Sequence, residues 1–248
     1  MIKIENIQVV GLEPAIRGMR NPMNSWDKSD SDYRIVLSKK CDACGRYMLP
    51  DDDSCDGCEI NDMQFNFEGY TIGPNDRDLM LRLARQGPVH GKYRRMIVVY
   101  VDITAPLYWW KQFDTYQVGT VKNSCSTMHK IHAKEFTLED FSSEYLICWG
   151  DVEKEVLVAM KGVLDALNFA RNKYLETKDE RYWYQMIQLL PNSYNQKRTV
   201  MLNYEVLANI YQYRWNHKLD EWREFCVWID SLPYSDIIAC SSYGEDRE

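Results

Sequence analysis

The 248 residues are 45% apolar and 13% aromatic, enough to bury a sizeable core, and this composition excludes a disordered chain. Thirty basic residues against 37 acidic ones leave a net charge of −7, which excludes a general nucleic-acid coat. Only local basic pairs remain for anions: Arg17 with Arg20, Arg94 with Arg95, and Lys197 with Arg198.

In chain order, residues 2–10 alternate as a strand does. The following GLEPAIRGMRNPMNSWDKSDSDY starts with a helical pattern and turns to loop at Pro22. Asp76 is placed to cap a helix, DLMLRLARQ, ending at Gly87. Met96 to Ile103 reads as a buried strand from its β-branched content. After Ala105-Pro106, LYWWKQFDTYQ reads as a helix whose first turn tolerates proline. GTVKNSCSTMHKI is polar and reads as a loop. Helices are expected over 152–176 and 180–189, ended by Pro191, and one long helix over 199–229. The mixture indicates an α+β fold in one domain, 1–248. No run of ~18 apolar residues exists to span a membrane. No signal-peptide pattern is present, so a cytoplasmic protein is expected.

The cysteines fall into two groups. Cys41-Asp-Ala-Cys44 and Cys55-Asp-Gly-Cys58 are two CxxC knuckles ten residues apart. Each aims two thiolates at one point, and together they complete the tetrahedron of a structural zinc ion. Four cysteines leave no open coordination position, so the metal is not catalytic. This module, 38–62, reads as an insertion. Cys148 and Cys226 sit in apolar runs as small buried hydrophobes. Cys125, His129 and His132 offer three possible metal ligands, although a polar loop without metal is the plainer reading.

Three pieces resemble, in order, the flavin-dependent thymidylate synthase family. DLMLRLARQG followed by MIVVYVDITAPLYWWKQF is similar to its helix, strand and Ala-Pro-led helix. NSCSTMH is similar to the tail of its RHRxxSxNExSxRY signature, with Asn123 and Ser126 matching. LLPNSYNQKRTVMLNYEVLANIYQYRW is similar to its Leu-Pro turn and final helix, with Asn203, Asn209 and Arg214 at the family spacing. The resemblance implies a flavin-dependent thymidylate synthase-like fold and a homotetramer. It also implies transfer of a one-carbon unit from methylene-tetrahydrofolate to a pyrimidine deoxynucleotide, with FAD as cofactor and NADPH as reductant. It assigns Arg214 and Gln112 to the reacting nucleotide, Ser126 and Thr127 to its phosphate, and Asn203, Asn209 and Asn123 to the flavin. On a continuous helix, Asn203, Leu207, Ile210 and Arg214 would share one face.

Departures are equally specific. The family's Arg-His-Arg falls near Thr115-Tyr116-Gln117, its signature Glu on Ser124, and its Arg-Tyr on Met128-His129. A phosphate held without those guanidiniums needs other cations. Arg17 and Arg20, in the donor-rich AIRGMRNPMNSW, are the expected substitutes. Two other readings stay open: a nucleotide-binding relative with altered or lost chemistry, and an interaction protein that docks through its zinc module.

Overall fold

Strand β1 (Lys3–Val10) forms where the sequence alternates, with a bulge around Asn6, which adopts a φ of 53°. A computed structural model describes residues 2–40, 47–48, 64–146 and 154–240. The expected single domain divides into two compact units, one of Met1–Val10 with Val98–Glu248, the other Gly11–Ile97.

The second unit starts with α1 (Leu12–Arg20), which buries Ala15, Ile16 and Met19 on one side. Its sheet contains β2 (Asp32–Lys40), β3 (Tyr47–Met48) and β4 (Gln64–Thr71), antiparallel in the order β3-β2-β4. Cys41, Cys44, Cys55 and Cys58 lie between β2 and β4, outside the described residues, so the expected zinc site does too. The next helix, α2 (Pro74–Arg85), is capped at Gly73, three residues ahead of the expected cap Asp76, because Pro74 is preset for a first turn. Asp76 is therefore not its cap. Asp30 takes that role from outside, accepting from the Asn75 and Asp76 backbone N–H groups at 2.9 and 3.1 Å.

In the first unit, β5 (Val98–Pro106) extends the expected strand to Pro106 and leads into α3 (Leu107–Phe113). The expected loop after it is a strand, β6 (Thr120–Ser124), and a single turn, α4 (Thr127–Lys130). TVKNS has one large apolar residue, so its strand character comes from pairing and not from pattern. Helices α5 (Lys154–Thr177) and α6 (Glu180–Leu189) match their expected spans and enclose a core of Ile131, Phe136, Phe141, Met160, Leu167 and Met186.

The expected helix over 199–229 is overturned. Asn195–Asn203 is a strand, β7, and it pairs with both β5 and β6. The sheet order is β1-β5-β7-β6, all antiparallel. Two partners supply β7 with ladder bonds that an isolated helical reading cannot foresee. Asn203 then caps α7 (Tyr204–Arg214), its side-chain oxygen accepting from Val206 N–H at 3.0 Å. Helix α8 (Asp220–Asp230) follows a break at His217, whose Nδ1 accepts from Leu219 N–H at 3.1 Å, and α9 (Asp236–Ala239) follows Pro233. Val99, Val101, Ile103, Ala105, Val200 and Leu202 form one buried sheet face. Trp109, Trp110, Phe113, Trp222 and Phe225 make an aromatic core with neighbouring ring centroids 4.8–6.3 Å apart. Among the described residues no helix is long and apolar enough to cross a membrane.

Candidate active site

Helix ends bring the polar residues together. Gln112 lies in the last turn of α3, Arg214 ends α7, and Trp222 lies in the first turn of α8. The Gln112 side-chain oxygen accepts from Trp222 Nε1 at 2.9 Å and from Arg214 Nη1 at 3.3 Å. Both neighbours are donors, which fixes the orientation of the amide. Its NH2 group has no partner among the described residues and is available to a ligand carbonyl.

Arg214 also donates from Nε to the Tyr116 hydroxyl at 3.0 Å. Its guanidinium lies 4.8 Å from the Trp222 ring centre and 5.8 Å from that of Tyr116. Contacts of this kind contribute ~0.5–2 kcal/mol. Every protein partner of this half-buried cation is neutral, and no described carboxylate lies within ion-pair distance. A positive charge fixed against aromatic faces without a counter-ion is suited to an anion or an electron-rich carbonyl. Burial, with the charges of Arg214, Arg223 and Lys218, holds the His217 imidazole below its usual pKa. Because its Nδ1 is an acceptor, the neutral ring carries its proton on Nε2.

A second cationic group lies at the edge of the sheet. Lys122 on β6 and Arg198 on β7 face the same side, since Lys122 pairs with Val200 and Ser124 with Arg198. Lys122 Nζ and Arg198 Nη1 each approach Asp114 Oδ1 at 2.9 Å. Arg198 also donates from Nε to Gln196 Oε1 at 3.0 Å and lies 4.3 Å over the Trp110 ring. Lys122 lies 5.7 Å from the Phe113 ring centre. Asp114, Gln117, Thr120 and Lys122 line an open cleft of about 420 Å³. Next to Thr120 in the chain, Gly119 takes a φ of +76°, and a Cβ there would stand 2.7 Å from Asn203 Nδ2. Only glycine lets the chain pass this amide.

Over this whole arrangement the chain is similar to thymidylate synthase ThyX from Helicobacter pylori, solved with FAD and dUMP. The match covers 98% of this chain and 100% of that one, at 14% identity and a TM-score of 0.60. The fold is that of the flavin-dependent thymidylate synthases. The UMP/dUMP methylase PolB from Streptomyces cacaoi, bound with 5-Br UMP, is also similar, at 12% identity and a TM-score of 0.55 over 98% of this chain and 95% of that one. The same methylase with 5-Br dUMP matches at a TM-score of 0.57 and 12% identity, over 96% and 94%. No family model matches the chain, and no curated protein matches it by sequence.

On this thymidylate synthase fold the expected residues distribute unevenly. Gln112 and Arg214 meet. Asn203 does not share a helical face with Arg214, because it precedes α7 as its cap. Asn209 is exposed on α7, and Asn123 is exposed on β6, on the sheet face opposite Lys122. Ser126 caps α4, its hydroxyl accepting from His129 N–H at 3.0 Å, and Thr127 follows it in the first turn. No group of three metal-ligating side chains occurs among the described residues, Cys125, His129 and His132 included.

In the second unit, Arg20 does not act as a free cation. It is buried, with Nε 2.6 Å from Asp76 Oδ1, and it donates to the carbonyl oxygens of Ser25 and Lys28 at 3.1 and 3.0 Å. Burial raises the Asp76 pKa, but hydrogen bonds from Ser29, Ser31 and Arg20 outweigh it and hold the carboxyl below the usual aspartate value. Arg17 remains exposed, 3.5 Å from Glu13, beside a cleft of about 190 Å³ that Trp26 and Tyr70 also line. Sequence reasoning missed Tyr116, Trp222, Lys122 and Asp114. It named Arg198 only as half of a surface basic pair.

Proposed function

We propose that this chain binds a pyrimidine nucleoside monophosphate and transfers a one-carbon unit to its base. The observation that carries this reading is the convergence of Gln112 and Arg214 in an aromatic setting. Gln112 offers an amide N–H and Arg214 a guanidinium to the carbonyl oxygens of a uracil ring, with Tyr116 beside them. Lys122 and Arg198 provide the positive charge that Thr115-Tyr116-Gln117 lacks. The likeness in fold to enzymes solved with dUMP, 5-Br UMP and 5-Br dUMP supports a uridine monophosphate of either sugar as ligand.

FAD is the proposed cofactor. The likeness in fold to a synthase solved with FAD and dUMP supports this, and Asn203, Asn209 and Asn123 are the residues proposed to contact it. When bound, reduced flavin supplies the hydride that completes a methyl group, with NADPH and methylene-tetrahydrofolate as cosubstrates. This chain's own residues bind and orient the nucleotide; none is required as a nucleophile. The reading includes a homotetramer, measurable by native mass, and a structural zinc ion on Cys41, Cys44, Cys55 and Cys58.

The test is a visible spectrum of the purified protein, followed by calorimetry against dUMP, UMP, dCMP and CMP. Flavin absorbance together with binding of a uridine monophosphate is the expected result. Nucleotide binding without flavin uptake selects the relative with altered chemistry. Binding of none of the four nucleotides refutes both readings.

A further inference from the structure

Lys122 and Arg198 converge on a single oxygen, Asp114 Oδ1, at 2.9 Å each. Their side chains are 18% and 14% exposed, whereas that of Asp114 is 42% exposed, so the cations are seated and the carboxylate is at the surface. Asp114 Oδ2 has no partner among the described residues. Asp114 also sits just past the end of α3, where its backbone N–H is already bonded to the Trp110 carbonyl at 2.8 Å. The side chain can therefore rotate without disturbing the backbone.

Two cations and one carboxylate leave a net positive charge beside the cleft, against the buried rings of Trp110 and Phe113. Thr120 lines the same cleft, and its hydroxyl oxygen is buried without a hydrogen-bond partner among the described residues. A buried hydroxyl without a partner is unusual in a folded protein. A tetrahedral anion has oxygens enough to replace Asp114 Oδ1 on both cations and to accept from Thr120 as well. Carboxylate and phosphate cannot both occupy the space between the cations, because like charges repel there.

We propose that Asp114 is a built-in competitor for the phosphate of the ligand: it holds Lys122 and Arg198 together in the free protein and yields them when phosphate binds. The identity of the ligand as a nucleotide rests on the function proposed above, whereas the competition rests on this geometry alone. Asp114 thereby sets the affinity of the cleft, keeping weak anions out and admitting a doubly charged phosphate.

The experiment titrates inorganic phosphate into the full-length protein and into Asp114→Asn, Asp114→Ser and Lys122→Met, by calorimetry. Removing the carboxylate's charge is expected to tighten phosphate binding by about tenfold in both Asp114 variants, and Lys122→Met to weaken it. A merely structural Asp114 would give the opposite sign. The proposal is overturned if both Asp114 variants bind phosphate no more tightly than the unaltered protein, or if no form binds it. A second arm compares uridine, UMP, dUMP and FAD. If phosphate behaves as expected but UMP and dUMP bind no better than uridine, the competition stands and the nucleotide reading falls. Tighter FAD binding alone assigns the cations to the cofactor's pyrophosphate.

Discussion

Replacing Arg214 by methionine removes a charge but keeps a stem of similar length. In the folded protein the guanidinium has two neutral partners, Tyr116 at 3.0 Å and Gln112 at 3.3 Å, and stacks at 4.8 Å over Trp222. Losing a charge-assisted hydrogen bond to a bound ligand costs ~1.5–3 kcal/mol, about 10- to 150-fold in affinity. Fold stability should change far less. The lost stacking is worth ~0.5–2 kcal/mol, and it is offset by removal of a half-buried charge without a counter-ion. Gln112 also keeps its bond from Trp222 Nε1 at 2.9 Å, so its oxygen remains satisfied. The net shift should therefore stay within ~1 kcal/mol. Calorimetry with UMP and dUMP, paired with thermal melts, separates the two quantities. Arg214→Lys should fall between, since an ammonium keeps the charge but loses the planar fork. Unaltered affinity in Arg214→Met, or an affinity loss that merely follows unfolding, refutes the role given to this residue.

Four further outcomes are expected. Arg20→Met should destabilise the second unit by about 3–5 kcal/mol in urea melts, because it strands the buried Asp76 carboxylate. The Asp76 carboxyl titrates below its unfolded value, so its contribution is complete above that value and is lost as pH falls through the folded one; the gap between unaltered protein and Asp76→Asn should close only in strong acid. In proton NMR, the His217 imidazole should titrate below 6.5 and move upward in Arg214→Met, since burial and then Arg214 depress it. Its unfolded form takes a proton more readily, so this group lowers stability as pH drops through its unfolded value. Metal analysis should find one zinc per chain, and a chelator should release it with a drop in melting temperature; a metal-free protein of unaltered melting temperature counts against the four-cysteine site.

The parts of this structure legible in the sequence are those whose signal is local. β1, β5, α3, α5 and α6 carry their own periodicity or breakers, and each lies within a few residues of its expected span. The residues of β7 also suit a helix; what decides their state is pairing with β5 on one side and β6 on the other. β6 was invisible for the same reason. Asp76 resembled a cap in sequence, but a carboxylate accepting from Arg20, Ser29 and Ser31 is defined by partners some 45 to 56 residues away. The approach of Gln112 to Arg214 spans 102 positions, and only a resemblance to a known family put the two on one site.

The loss of the family's Arg-His-Arg looked, in one dimension, like the loss of an anion site. Sheet register brings two other cations together. Residues two apart on a strand share a face, and cross-strand partners share it too, so Lys122 and Arg198 reach one carboxylate from different strands. Lys122 belongs to no basic pair, and the sequence neighbour of Arg198, Lys197, bonds instead to Asp102 on the opposite face of the sheet. Trp110 and Phe113 back the two cations. In the proposed function the positive charge for the phosphate comes from two paired strands and base recognition from two helix ends. This predicts that substitutions at Lys122 change the response to phosphate but not to uridine, whereas substitutions at Gln112 do the reverse.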